Sequence, residues 1–283
     1  MKVVANIGIN WWSRDGEPGE RAHRLVDKAI DLGVGGVCIP YFRSSIFRDE
    51  KKAAQTRKFE ISPELLYDLV KKIQSKQIPV YIAVREPEDV GYLENIDVDG
   101  YHISNGDTLY HPLLEELAAL KLHKPILLST GFSTFDEINE STVTLLGEQD
   151  ASTAELILLH STGGLPTAME DADLKRILEL ATEFYPLYSG FESFLSYQIL
   201  DYVAMAFNPV VVMRRLDLED RGGVESEYSL APDQMRELIK MATAMNAINN
   251  PEFDQNGFTR TDFSARQKLW RCKESDYLLP PSE

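Results

Sequence analysis

Short apolar runs alternate along this chain with longer segments whose apolar residues recur every three or four positions. The runs predict buried parallel strands, because each is brief and lacks a polar face. They begin near Val3, Gly36, Pro79, Gly100, Pro125, Leu156, Pro186 and Pro209. The longer segments predict helices, for example Pro63–Ser75, where the leucines lie on one face. The chain therefore consists of about eight strand–helix pairs.

Repeated β-α units imply parallel strands joined by right-handed crossovers. Eight such units closing on themselves predict an α/β fold, the (β/α)8 TIM barrel. A doubly wound open sheet is the alternative, but eight evenly spaced units favour closure. We expect the barrel to occupy residues 1–248 and a short C-terminal extension to occupy residues 249–283. The extension has no clear period but many aromatic residues, so it should pack on the barrel or on a partner subunit.

Charge and composition restrict the partners. The formal net charge of −16 disfavours nucleic acid and anionic membrane surfaces. No apolar run approaches the roughly 20 residues of a membrane span. The first residues lead directly into a strand and lack the form of a signal peptide. The two cysteines, Cys38 and Cys272, form neither a disulfide framework nor a zinc spacing. These features predict a cytoplasmic protein without nucleic-acid or membrane partners.

The stretch from Lys124 to Ile138 combines a strand, a turn and the start of a helix. Ile126–Leu128 is a buried run, and Ser129–Gly131 breaks it. Thr134 followed three residues later by Glu137 predicts a capping box. Small hydroxyl residues and a glycine at this point allow backbone N–H groups to approach an anion. An ordinary strand-to-helix loop would show the same pattern.

This stretch resembles the Lys-Pro-Ile-Leu-Leu-Ser-Thr-Gly-Phe segment of the sialic acid synthase family. Three other segments resemble family motifs in the same order: Ala5–Asn10, Tyr101–Asp107 and Leu158–Thr162. The resemblance extends over about residues 3–247. It implies an aldolase-type barrel of sugar acid or surface-polysaccharide biosynthesis. Enzymes of that family condense phosphoenolpyruvate with a hexose derivative to make nonulosonic acids.

The chain departs from the family at several site positions. The two histidines that hold the family's divalent metal fall on Phe194 and Arg215, and neither residue can ligate a metal. Lysines of the phosphoenolpyruvate site fall on Cys38 and His102. A histidine after the first strand falls on Trp11. We therefore expect no metal and no cofactor. We also expect none of the antifreeze-like C-terminal domain that many members of the family carry.

Active sites of such barrels lie at the C-terminal ends of the strands. Candidate catalytic residues at those ends are His102, His160 and Asp107. Candidate substrate-binding residues are Trp11, Arg43, Arg85, Asn105, Ser129, Thr130, Ser161, Glu192, Arg214 and Arg215. Arginine forks suit phosphate and carboxylate groups, so four arginines at one mouth predict an anion site. Alternatively, they form ion pairs with the carboxylates of the rim.

Three functions agree with these observations. The first is an enzyme of sugar acid or surface-polysaccharide biosynthesis that binds a small anionic sugar or phosphate and uses metal-independent or altered chemistry. The second is an inactive pseudoenzyme, or a partner subunit of an active synthase. The third is a phosphoenolpyruvate-condensing synthase with a rebuilt site. An active enzyme would form carbon–carbon bonds, and a homodimer or a complex with a partner synthase is compatible with each.

Overall fold

A computed structural model describes residues 1–12, 17–120 and 123–249 of the chain. The expected extension of residues 249–283 lies, except for Asn249, outside the described residues. The strands are β1 Lys2–Asn6, β2 Gly36–Tyr41, β3 Val80–Val84, β4 Gly100–Ile103, β5 Ile126–Ser129, β6 Leu156–Ser161, β7 Tyr188–Ser193 and β8 Val211–Arg215. The helices are α1 Pro18–Leu32, α2 Glu50–Thr56, α3 Pro63–Gln74, α4 Pro87–Asn95, α5 His111–Ala119, α6 Phe135–Leu146, α7 Arg176–Glu183, α8 Ile199–Met205 and α9 Pro232–Asn249.

The eight strands form a closed parallel barrel in sequence order, and β8 pairs with β1 to complete it. The predicted (β/α)8 TIM barrel is therefore confirmed. Closure leaves no exposed sheet edge, and the surrounding helices cover the outer face. Among the described residues, none of the helices is both long and apolar enough to cross a membrane.

Side chains of each strand alternate between the lumen and the surrounding helices. The core cluster in the lumen consists of Val4, Cys38, Tyr81, Ala83, Leu127, Leu159, Val211 and Met213, with every member at most 6% exposed. Residues paired in register on neighbouring strands face the same side of the wall. Positions two residues beyond a cluster member, nearer the mouth, therefore also face the lumen. By this rule Ser129, Glu192 and Arg215 face the lumen, whereas His160 and Arg214 face outward.

Two elements differ from the sequence prediction. The polar segment at residues 43–60, which has no apolar period in the sequence, contains α2 and two short 3-10 turns. Strand β7, expected to begin near Pro186, runs over Tyr188–Ser193, because pairing on both sides overrides the low strand propensity of Gly190 and Glu192. The capping box at the start of α6 forms as predicted: Thr134 N–H donates to Glu137 Oε2 at 2.7 Å.

Candidate functional site

Four polar side chains in a row cross the lumen, one each from β2, β4, β5 and β7. Cys38 Sγ lies 3.7 Å from His102 Nδ1, and His102 Nε2 lies 2.8 Å from Ser129 Oγ. Ser129 donates its hydroxyl proton to Glu192 Oε2 at 2.6 Å. All four side chains are buried. The barrel thus brings together two predicted substrate-binding residues and one predicted catalytic residue.

The protonation states of these four side chains follow from their hydrogen bonds. An ionised carboxylate can only accept, so the one hydroxyl proton of Ser129 is committed to Glu192. His102 must then donate from Nε2 to Ser129, which leaves Nδ1 as the acceptor beside the thiol. Burial, and secondarily Arg215, lowers the pKa of His102 against the opposing effect of Glu192, so the ring is neutral. Burial raises the pKa of Cys38 to about 12, and the thiol is unreactive.

Arg215 places a positive charge in the lumen beside these four side chains. Its Nε lies 3.3 Å from Glu225 Oε2, and its guanidinium carbon lies 5.2 Å from the centre of the Phe194 ring. Burial opposes the charge, but the carboxylates of Glu225 and Glu192 outweigh burial and raise the pKa of Arg215. Within residues 1–12, 17–120 and 123–249, its Nε has no acceptor and is shielded from solvent, and its two Nη groups donate no hydrogen bond. The Nη groups are therefore the donors that a ligand could engage.

Glu225 holds Arg215 in place and is a site residue that has no signal in the sequence, because it lies in an aperiodic segment after β8. Its Oε2 accepts from Ile9 N–H at 2.8 Å, and its Oε1 accepts from the Tyr228 hydroxyl at 3.1 Å. Gly8 makes this approach possible: its φ is +50°, and a Cβ there would overlap Glu225 Oε2.

Asn105 joins the ends of β4, β5 and β6. Its side-chain amide donates to Ser161 Oγ at 3.0 Å, and its carbonyl oxygen accepts from Gly131 N–H at 2.8 Å. A Cβ on Gly131 would overlap the Ser161 carbonyl. The predicted residues Asn105, Ser129 and Ser161 therefore lie together at one side of the mouth.

The remaining rim arginines are paired with carboxylates. Arg43 is ion-paired with the buried Asp89 at the start of α4. Arg85 forms a bidentate pair with Asp107, with distances of 2.9 and 3.1 Å. Asp107, a predicted catalytic residue, thus has both oxygens engaged by Arg85. Arg43 and Arg85 therefore form ion pairs with carboxylates of the rim and are not free to bind a ligand.

Three predicted site residues lie on the outer side of the barrel wall. Arg214 faces α8, where it lies 3.3 Å from Asp201 and donates to Ser193 Oγ at 2.7 Å. His160 stacks on Phe191, with ring centres 5.8 Å apart. Thr130 donates to the Leu159 carbonyl. The expectation that all four arginines point at one place is thus corrected, because neighbouring strand residues face opposite sides.

Trp11 also differs from its predicted role as a ligand platform. It is only 3% exposed, and its indole Nε1 has no acceptor among the described residues. Trp12, the next residue, packs edge-on against Phe59 with ring centres 5.4 Å apart. Lys58 Nζ lies 4.2 Å above the Trp12 ring. The aromatic surface near the end of β1 therefore belongs to Trp12.

The lumen residues at the positions of the family's metal ligands are Phe194 and Arg215. Phe194 and Arg215 lie side by side there, and a guanidinium repels a metal ion. In the described part of the chain, no three His, Cys, Asp or Glu side chains are grouped as a metal would require. The residues present therefore do not fit a metal.

Comparisons with known proteins agree with this architecture. A family model described as the NeuB family matches residues 40–251. The chain is 27% identical over 244 residues to an uncharacterized protein of Methanocaldococcus jannaschii, covering 84% of this chain and 68% of that protein. It is 24% identical over 253 residues to the N,N'-diacetyllegionaminic acid synthase of Campylobacter jejuni, covering 83% and 73%. A crystal structure of the N-acetylneuraminic acid synthetase from Leptospira borgpetersenii superposes with a TM-score of 0.81 at 21% identity, covering 95% and 92%.

Proposed function

This chain belongs to the NeuB family, and from that premise we propose that its lumen binds a small anionic sugar or phosphate. In this proposal the protein acts in sugar acid or surface-polysaccharide biosynthesis and works without a divalent metal. The family and the barrel support a sialic acid synthase-like protein. The choice of ligand and the departure from metal chemistry rest on the lumen itself.

The observation that carries the proposal is the guanidinium of Arg215. A buried polar group without a hydrogen bond is costly, and a planar guanidinium suits carboxylate and phosphate oxygens. Arg215 nevertheless donates no hydrogen bond within the described residues. An anion at the mouth would accept from the Nη groups of Arg215. We expect Ser129, Asn105 and Ser161 to orient the same ligand from the opposite wall.

The fixed charge of Arg215 also suggests how chemistry without a metal would proceed. A guanidinium stabilises negative charge that develops on a bound carboxylate or phosphate, which is the electrostatic role a metal otherwise has. His102 is the proposed proton-transfer group: the ring is neutral and its Nε2–H donates to Ser129, so a proton from the ligand would be accepted at Nδ1. His160 faces away from the lumen and takes no part in this scheme.

A second candidate function is that of an inactive protein or a partner subunit of an active synthase. It is favoured by the pairing of Arg43 with Asp89, Arg85 with Asp107, and Arg214 with Asp201. These ion pairs hold three of the four arginines away from a ligand. A phosphoenolpyruvate-condensing synthase would have to use the same lumen with none of the family's lysines or histidines at the positions named above.

Calorimetric titration with phosphorylated sugars and sugar acids tests the proposal. Charge-assisted hydrogen bonds are worth about 1.5–3 kcal/mol, so Arg215→Gln should weaken binding at least roughly tenfold. Arg236→Gln, which removes an exposed arginine from α9, is the control and should bind as the wild type does. A chelator should leave the affinity unchanged. If the wild type binds no such anion at millimolar concentration, the scaffold or partner role is the better account.

A further inference from the structure

A cavity of about 360 Å³ lies at the outer side of β6, between the loops that follow β5 and β6 and the start of α7. It is lined by His160 on the outer face of the strand and reaches around the strand end to Ser161. Its size is within the range of small-ligand pockets, roughly 300–1,000 Å³. The lumen residues Arg215, His102 and Glu192 do not line it. The cavity therefore adjoins the mouth at Ser161 and extends away from Arg215 to the outer side of the wall.

His160 presents a hydrogen-bond acceptor to this cavity. Its Nε2 lies 2.8 Å from the Ala172 carbonyl, and a carbonyl can only accept, so Nε2 carries the proton. Burial lowers the pKa of His160, and the ring is neutral. Nδ1 is then a lone-pair acceptor, and it has no hydrogen-bond partner in the part of the chain that the structure describes. A hydroxyl group of a ligand would satisfy it.

Two carboxylates, those of Asp171 and Asp173, line the same cavity. Both side chains are exposed, and the charge of Asp173 acts on His160. Carboxylate oxygens accept hydrogen bonds from ligand hydroxyls and, when ionised, make stronger ones than neutral acceptors do. The cavity thus offers acceptors on two side chains beyond the histidine.

Arg176 supplies the donors. Its guanidinium carbon lies 3.6 Å from the centre of the Phe135 ring, which orients its plane. Its remaining contacts are long: 3.5 Å to the Ser133 carbonyl and 3.6 Å to Glu179. A guanidinium has five N–H donors in a flat fork, so most of them remain available to a ligand.

The charge balance decides between an anionic and an uncharged ligand. The guanidinium of Arg176 lines the cavity together with Asp171 and Asp173 and lies near Glu179, so the carboxylates outnumber the cation and oppose an anionic ligand. An aromatic surface lies beside the cavity: Phe132 is 64% exposed and lies directly against the lining residue Gly163, where a Cβ would overlap its ring. An exposed ring provides an apolar face for the C–H groups of a sugar.

We propose that this cavity binds an uncharged polyol, such as a neutral sugar. Its hydroxyls donate to His160 Nδ1 and the two aspartates and accept from Arg176, while Phe132 covers one face. The proposal does not depend on anion binding in the lumen.

Sorbitol and gluconate are the matched probes, because they differ only in a terminal hydroxymethyl or carboxylate group. Ligand-observed NMR titration should detect binding of sorbitol or of the neutral hexoses glucose, mannose and galactose at millimolar concentration. In Arg215→Gln, which lacks the cation of the lumen, gluconate should bind at least about threefold more weakly than sorbitol. Tighter binding of gluconate by that variant, or no binding of any neutral probe at tens of millimolar, would overturn the proposal.

Variants locate the binding. In the same Arg215→Gln background, the double variant Asp171→Asn, Asp173→Asn changes two exposed side chains and should abolish the preference for sorbitol over gluconate. The double variant Glu115→Gln, Glu116→Gln removes two exposed charges from α5 and should leave the preference unchanged. Arg215→Gln should also bind sorbitol as the wild type does, so failure of the lumen proposal and failure of this one are separate results. If the α5 variant changes the preference as much as the aspartate variant, the cavity is not the site.

Discussion

The two neighbouring arginines at the end of β8 have opposite environments. Arg214 lies behind the barrel wall, where it donates to Ser193 and is paired with Asp201, and it is 1% exposed. Arg215 lies in the lumen, is paired with Glu225 and donates no hydrogen bond within the described residues. Burial lowers the pKa of Arg214 despite Asp201, whereas carboxylates overcome burial and raise the pKa of Arg215.

This difference shows how one strand can hold a structural and a functional charge side by side. The guanidinium of Arg214 is engaged by Ser193, Leu195 and Asp201, and this joins β7, β8 and α8. The guanidinium of Arg215 has an ionic neighbour, but its two Nη groups donate no hydrogen bond within the described residues. The Nε atoms of both arginines lack a hydrogen-bond partner there, so engagement of the Nη groups, rather than charge or position at a strand end, distinguishes the residue that holds the fold from the one that can bind a ligand.

The comparison predicts the largest loss of stability for Arg214→Gln. Removing one partner of a buried ion pair leaves the other charge uncompensated and costs about 3–5 kcal/mol. Arg215→Gln should cost less, about 1–3 kcal/mol, because Glu225 keeps Ile9 N–H and Tyr228 as donors. Urea unfolding of both variants measures these losses. Equal losses would remove the distinction between the two arginines.

Gly8→Ala should have the next largest effect. Alanine at a φ of +50° costs roughly 1–2 kcal/mol, and its Cβ would displace Glu225 from Ile9, which adds about 1–3 kcal/mol. Anion affinity should fall as well, because Glu225 positions Arg215. Gly33→Ala, at a φ of +70° in open space after α1, is the matched control. Gly33→Ala should lose stability but keep its affinity for the anion. A loss of anion affinity in that variant would contradict the role of Glu225 in positioning Arg215.

The smallest predicted effect is a pH dependence on the outer side of the wall. Burial lowers the folded pKa of His160, whereas the unfolded chain titrates near its ordinary value of about 6.5. Below that pH the unfolded state binds more protons, so stability is lost as the pH falls, by at most about 1.4 kcal/mol per pH unit. In His160→Gln the amide can still donate to Ala172, and the loss between pH 7 and pH 5 should be smaller. Identical slopes for the two proteins would show that His160 does not contribute.

Much of the barrel followed from local sequence. Apolar runs such as Ile126–Leu128, the glycine after α1 at Gly33 and the Thr134–Glu137 capping box are determined by residues close in the chain. Eight repeats of that local pattern left closure as the simplest way to bury all the strands. The residues at the strand ends could be named for the same reason, since position along a strand follows from where its apolar run stops.

Tertiary structure alone decided which of those residues share a site. A shift of one residue along a strand moves a side chain to the other face of the wall, and this separates Arg214 and His160 from Arg215 and Ser129. Glu225 and Gly8 reach Arg215 from segments far apart in sequence, and no local pattern marks them. The pairing of Arg43 with Asp89 likewise depends on the packing of a loop over α4. Sequence determines the strands and their order; the contacts of each charged group depend on distances that exist only after the barrel has closed.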